Sequence, residues 1–270
     1  MQYADDAAII TNNVTELQHE LELTDLQYTR LGLQMNTGKT EVLHRSTEDS
    51  IPAQPISIRG NILKEVQDFT YLGSTISNNC SLDREVNSRI SRASAAFGHL
   101  SDRVYLNRNL KLTTKIKVYQ AIVLSILLYG SETWTLYSKH LKKLNVFHLR
   151  CLRRVLHITW QDKVPNNEVL ASCGCMNMHS IVAERTLRWA GHVQRMPEDR
   201  LPKAIFYSEL KDGRRPIGRP KKRYKDHLLD TLKNCGINPG SFEAAAANRR
   251  GWKRAVQEGI GHYEMTLRDR

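Results

Sequence analysis

The apolar positions change period near residue 80. Before it they come in short bursts between turn residues, and after it they recur at helical spacing. Ala7-Ala8-Ile9-Ile10 reads as a short buried strand. Val14, Leu17, Leu21, Tyr28 and Leu31 share one face of a helix predicted over 14–31. Asn13 is its N-cap, Glu16 completes a capping box and Gly32 follows its end. Lys39–Leu43 predicts another short strand. Ile56-Ser57-Ile58 and Ile62–Val66, about turn residues Gly60-Asn61, predict a hairpin, and Phe69-Thr70-Tyr71-Leu72-Gly73 predicts a further β segment. From Asp83 the pattern predicts helices over 83–100, 112–129, 139–157, 178–195, 222–234 and 243–257. Asp212–Pro220, rich in Gly and Pro, predicts a linker. The expected class is α+β: a small mixed head over 1–80, a helical middle over 81–160 and a basic helical region over 161–270.

Composition narrows the classes. The 270 residues suffice for a real core, and 40% hydrophobic content argues against wholesale disorder. The longest largely apolar run, Ala121–Tyr129, is far below the roughly 20 residues of a membrane helix. The opening residues do not read as a signal peptide, and five scattered cysteines do not make a secreted disulfide scaffold. An intracellular protein without a membrane partner is expected. Charge is uneven: 40 Lys+Arg against 28 Asp+Glu give +12, yet residues 1–60 hold 4 basic against 9 acidic residues and residues 201–270 hold 16 against 8. An acidic head that can hold cations and a basic tail that can hold phosphates suit a polyanion partner.

Tyr3-Ala4-Asp5-Asp6 is the sharpest chemical signal. Adjacent carboxylates at a strand–turn–strand tip repel unless a cation sits between them. Nucleotidyl transfer uses such a site, with two Mg²⁺ ions roughly 3.5–4 Å apart on the attacking and leaving oxygens. An exposed acidic turn is the plain alternative. Together with Leu31-Gly32-Leu33-Gln34-Met35-Asn36-Thr37-Gly38-Lys39-Thr40, however, the motif resembles the palm of reverse transcriptases of non-LTR (LINE-type) retrotransposons. Phe69-Thr70-Tyr71-Leu72-Gly73 resembles the hairpin that supports the primer in that family. Ile126–Trp134 (ILLYGSETW) and Leu187–Val193 (LRWAGHV) resemble later parts of the same elements.

The resemblance implies a truncated palm followed by a mainly helical thumb and a basic C-terminal region. It makes Asp5 a metal ligand with Asp6 beside it, and sets Lys39 near the departing pyrophosphate. Phe69, Tyr71 and Gly73 would shape the primer-supporting hairpin. The implied partners are an RNA template and a DNA primer, held mainly by backbone phosphates, with Mg²⁺ and deoxynucleotides used by the intact enzyme. Fingers and a further palm aspartate lie upstream of the acidic pair in the family, and only Met1 and Gln2 precede Tyr3 here. The expectation is therefore an RNA-directed DNA polymerase fragment that is inactive alone. A catalytically dead nucleic-acid-binding remnant, or a structural protein built on the helical part, are the alternatives.

Arg89, Arg92, Lys115 and Lys117 place cations on otherwise apolar helices, where they would meet backbone phosphates. Gly213–Arg223 is denser, with six cations among eleven residues and no acid: Arg214, Arg215, Arg219, Lys221, Lys222 and Arg223. An extended Gly-Arg-Pro can enter a narrow minor groove, and Pro220-Lys221-Lys222-Arg223 also reads as a nuclear-import signal. Cys173-Gly174-Cys175 with His179 lacks the usual zinc spacing, so reduced, partly buried cysteines are expected. His192 reads as a packed surface histidine. Trp134, Trp160, Trp189 and Trp252 read as core or inter-helix anchors.

Overall fold

A computed structural model describes residues 1–44, 55–208, 218 and 220–268. The chain divides into two units, Met1–Glu85 and Val86–Arg270, so the segments expected as a helical middle and a basic C-terminal region fall together in the second.

The first unit carries the strands. β1 (Gln2–Tyr3) pairs with β2 (Asp6–Ala7), so the strand expected over residues 7–10 ends at Ala7 and leaves Ile10 exposed. Helix α1 (Val14–Arg30) starts as its pattern predicts: Asn13 Oδ1 accepts the Glu16 N–H at 2.7 Å. β3 (Glu41–Val42) runs parallel to β6 (Lys64–Glu65). Between them β4 (Ser57–Ile58) and β5 (Asn61–Ile62) form the predicted hairpin. Its turn is Arg59-Gly60, both with positive φ, rather than Gly60-Asn61.

β7 (Asp68–Tyr71) and β8 (Ser74–Ser77) make a longer hairpin turning at Leu72-Gly73, again both at positive φ. Leu21, Val42, Ile56, Ile58 and Leu63 form the small core of this unit. The Gln18 amide holds α1 to β4, donating to Ser57 O at 2.9 Å and accepting the Ser57 N–H at 3.0 Å. Among the described residues the strands form four separate two-stranded pairs, not one continuous sheet.

The second unit is helical. α2 (Asp83–Leu100) runs into a π-helical turn, Ser101–Tyr105; α3 (Leu112–Val118) continues through a second, Tyr119–Leu124, into α4 (Ser125–Leu127). The helix predicted over 112–129 is thus interrupted. α5 (Ser138–Val155) and α7 (Met178–Gln194) match expectation closely. α6 (Asn166–Cys173) and α8 (Leu201–Tyr207) were not predicted. α9 (Tyr224–Asn234) follows, and the span predicted as one helix over 243–257 divides into α10 (Phe242–Ala247) and α11 (Arg249–Arg268). Most of the predicted linker lies outside the described residues.

Helix α7 is the hub, with α5, α8, α9, α10 and α11 all packed on it. Leu187 and Ala190 meet Leu228, Leu232, Trp252 and Val256 in the core. The Trp252 indole crosses α7 at Gly191, where an added Cβ would lie 2.1 Å from Nε1, and its N–H donates to Leu187 O at 3.0 Å. The other tryptophans divide: Trp134 is buried as expected, but Trp160 is 85% exposed and no core anchor. It stands on a short 3₁₀ turn, Trp160–Asp162, none of whose residues is buried.

Beneath α5, fully buried His148 is held in one tautomer. Nδ1 faces the Tyr119 hydroxyl at 2.8 Å and Nε2 faces Met176 O at 3.3 Å. The Tyr119 hydroxyl is kept protonated by burial, so it donates and the ring proton sits on Nε2. Burial pushes His148 down to about 4; burial, then Lys222, does the same to His227.

Two predictions follow from this core. Gly191→Ala will destabilise the helical unit by about 2–4 kcal/mol in denaturant unfolding. That cost will shrink when Trp252→Ala is added, since the clash needs both partners. Stability will also fall on acidification between about pH 6.5 and pH 4. In that window an unfolded histidine takes up a proton that folded His148 and His227 refuse, so protons favour unfolding. Each contributes up to roughly 3 kcal/mol, present above the window and lost below it. His148→Gln should flatten the acid limb of a stability–pH profile; an unchanged limb would exclude His148 as a cause.

Candidate nucleic-acid interface

The acidic pair sits at the tip of a tight hairpin. Tyr3 and Asp6 are strand partners, Ala4 and Asp5 form the turn, and Ala4 takes a positive φ of 52°. The Met1 ammonium donates to Ala8 O at 2.8 Å and closes the hairpin's open end. Asp5 and Asp6 are both exposed. Among the described residues no group of three or more His, Cys, Asp or Glu is placed to hold a metal ion. Two carboxylates on an open turn do not by themselves fit a two-metal centre, which needs a further ligand and a supporting shell.

Lys39 lies in a turn organised by Asn36, whose carbonyl and side-chain oxygens accept the Lys39 N–H at 3.1 and 3.2 Å. Its side chain is exposed, and no hydrogen bond or ion pair joins it to Asp5 or Asp6 among the described residues. Phe69 and Tyr71 point to one face of β7, with ring centroids 6.4 Å apart and planes 17° apart. Gly73, at φ 80°, completes the turn. Ser77 donates to Asp68 at 2.6 Å, Arg84 pairs with Asp68, and Glu85 accepts the Thr75 N–H at 2.7 Å. This hairpin is well anchored.

The expected phosphate contacts separate on burial. Arg89 is only 4% exposed, its guanidinium 4.6 Å from the Tyr129 ring centroid. Lys115 is 5% exposed and donates to Tyr105 O at 2.7 Å, satisfying a carbonyl at the end of the first π turn. Neither reaches a phosphate, so both leave the interface. Arg92 and Lys117 are exposed and remain.

Arg214, Arg215 and Arg219 lie outside the described residues. Lys221 is exposed. Lys222 pairs with Asp230 at 2.6 Å, and Arg223 pairs with Asp226 at 3.3 Å at the start of α9. Part of the basic run therefore holds a helix end. Cys173 and Cys175 are buried, and burial pushes the Cys173 thiol up to about 12 and Cys175 upward. His192 is exposed beside Trp189, with ring centroids 5.6 Å apart.

The first of the two later motifs packs against α7, the helix that carries the second. Arg185 of α7 donates to Leu128 O at 2.7 Å, Gly130 adopts a left-handed turn, and Tyr224 of α9 donates to Glu132 O at 3.0 Å. Ile126–Trp134 and Leu187–Val193 thus build the helical core rather than a reactive site. One basic feature received no sequence expectation: Arg150, Arg153, Arg154 and His157 line one side of a surface groove beside α5. Their spacing, i, i+3, i+4 and i+7, was the available signal.

No protein-family model matches the chain, and no solved structure matches it. It is 27% identical over 267 residues to a putative uncharacterized transposon-derived protein of Caenorhabditis elegans, covering 95% of this chain and 94% of that protein. It is 23% identical over 166 residues, 58% of the chain, to the RNA-directed DNA polymerase from mobile element jockey of Drosophila funebris, of which the match spans 18%. These relatives bear out the resemblance that the motifs carry, to a segment of a LINE-type reverse transcriptase. Among the described residues no helix is long and apolar enough to cross a membrane.

Burial gives Lys115 a role that salt cannot screen. Lys115→Met should cost about 1–3 kcal/mol by stranding the Tyr105 carbonyl, and should leave the salt dependence of nucleic-acid binding as it was. A flattened salt dependence in a folded Lys115→Met variant would return the residue to the interface.

Proposed function

We propose, taking this shared ancestry as the premise, that the chain is the C-terminal part of a retrotransposon RNA-directed DNA polymerase: nucleic-acid-binding by itself, and without polymerase activity of its own. The observation that carries the reading is the incomplete acidic site. Asp5 and Asp6 stand exposed at a hairpin tip, and no further ligand group joins them among the described residues. In the intact enzyme they would be two of the carboxylates that hold Mg²⁺, with the remaining one supplied from outside these residues. Lys39 would face the pyrophosphate and the β7–β8 hairpin would support the primer, which makes the first unit palm-like. The helical unit would serve as thumb and basic extension. Exposed cations such as Arg92, Lys117 and Lys221 supply sequence-independent phosphate contacts to the template–primer. The run Pro220-Lys221-Lys222-Arg223 supports nuclear entry as part of the same proposal.

The test is direct. Purified chain, given a primed RNA template, deoxynucleotides and Mg²⁺, should bind the template–primer at low salt and extend nothing. The logarithm of affinity should fall linearly with the logarithm of salt, and Arg92→Glu with Lys117→Glu should make that slope shallower. Primer extension that disappears in Asp5→Asn would overturn the proposed inactivity. No binding at low salt would overturn the nucleic-acid reading itself.

A further inference from the structure

We propose that the groove beside the C-terminal half of α5 is a binding site for single-stranded nucleic acid, in which Trp160 stacks on a base and Arg150 and Arg154 contact phosphates. The proposal rests on the nucleic-acid reading above and adds a site and a strand form to it. The groove encloses about 720 Å³. Arg150, Arg153, Arg154 and His157 form its basic wall, Leu106, Val146 and Leu149 give it apolar surface, and no carboxylate lines it.

The arginines divide their work. Arg153 donates to Val164 O at 2.9 Å and fixes the segment that follows α5. Arg150 and Arg154 are exposed, and no acidic side chain pairs with either among the described residues. Some cations of this unit do meet acids: Arg188 meets Glu184, Arg254 meets Glu258, Arg268 meets Glu264 and Lys222 meets Asp230. Asp162, bound to Thr159 of the wall, is the acid next to this surface, and positive charge on Arg150 and Arg154 that it does not pair is the electrostatic signature of an anionic ligand.

Trp160 identifies which anion. It follows Ile158 and Thr159, both in the groove wall, and is 85% exposed while Trp134 and Trp252 are buried. The turn that displays it is stiff: the Thr159 N–H and hydroxyl donate to one Asp162 oxygen at 2.6 and 2.7 Å. Trp160 is not itself part of the groove wall but is the next residue along the chain from it, and an exposed indole there with cations in the wall matches the way single strands are bound, by stacking bases on aromatic rings while cations follow the backbone. A duplex keeps its bases stacked inside and would use the arginines alone. An acidic peptide would pair with the arginines but brings no base to Trp160.

The experiment titrates the full chain with a twelve-nucleotide oligo(U) and an oligo(dT) of the same length, following tryptophan fluorescence and the anisotropy of a labelled strand. Quenching should accompany binding. Trp160→Ala should weaken it about 5- to 150-fold, and Trp160→Phe should keep most of the affinity. Arg150→Ala with Arg154→Ala should reduce the salt slope by about 1.4. All three residues are exposed, so an unchanged far-UV spectrum and melting point will confirm that the variants fold. Wild-type affinity in Trp160→Ala and in the double arginine variant, with binding otherwise intact, overturns the site and leaves the wider reading standing. So does equal competition by blunt duplex or by polyglutamate. Failure of both single strand and template–primer to bind removes the wider reading along with the site.

Discussion

A tryptophan laid across a glycine organises the helical unit. Gly191 leaves a gap on α7 that the Trp252 indole fills, and the indole N–H takes an additional hydrogen bond to Leu187 O on the same helix. That contact brings α11 onto α7, and further along α11 buried Glu264 accepts the Asn177 N–H with both oxygens at 3.1 Å, just before α7 begins. A carboxylate there satisfies an otherwise orphan donor and sits at the positive end of the helix dipole. At the other end of α7 Lys203 donates to Gln194 O and Met196 O at 3.1 and 3.0 Å. The hub helix is thus fixed at its start and middle by α11, distant in sequence, and at its end by Lys203 of the next helix. Leu187-Arg188-Trp189-Ala190-Gly191-His192-Val193 is accordingly a packing motif, and its glycine matters for what it lets through.

Helix periodicity was legible because it is a local property. α1, α5, α7 and α9 follow apolar spacing, and their boundaries lie within two or three residues of expectation. α6 and α8, eight and seven residues long, were not legible, since so short a stretch holds barely two turns of pattern. The π turns at Ser101–Tyr105 and Tyr119–Leu124 escaped for another reason. They are tertiary features, the first closed by Lys115 on the Tyr105 carbonyl and the second placing Tyr119 against His148. In the first unit the strands have only two to four residues, below the length at which alternation has meaning, and turn chemistry located them instead.

Charge was the least legible property, because sequence gives its sign and not its depth. Lys115 and Lys117 are two residues apart on one helix, yet the first is buried on a carbonyl and the second faces water. Lys222 and Arg223 sit in the densest basic run, yet both meet acids of α9. The arginines of α5 carry the same formal charge in a less conspicuous stretch and pair with no acid among the described residues. Whether a cation is taken up by the fold depends on the carbonyls and carboxylates that other helices bring to it.

Under the proposed function, the same division separates the acidic pair from the cationic surface. The acidic pair belongs to a hairpin two residues deep, and among the described residues no group of three or more His, Cys, Asp or Glu is placed to hold a metal ion. In the helical unit burial pushes His148 and His227 down and the Cys151 and Cys173 thiols up, and α7 is held at both ends by residues of the same unit. Under the proposed function, binding would be set by the exposed cations of the helical surface, and chemistry by what joins Asp5 and Asp6.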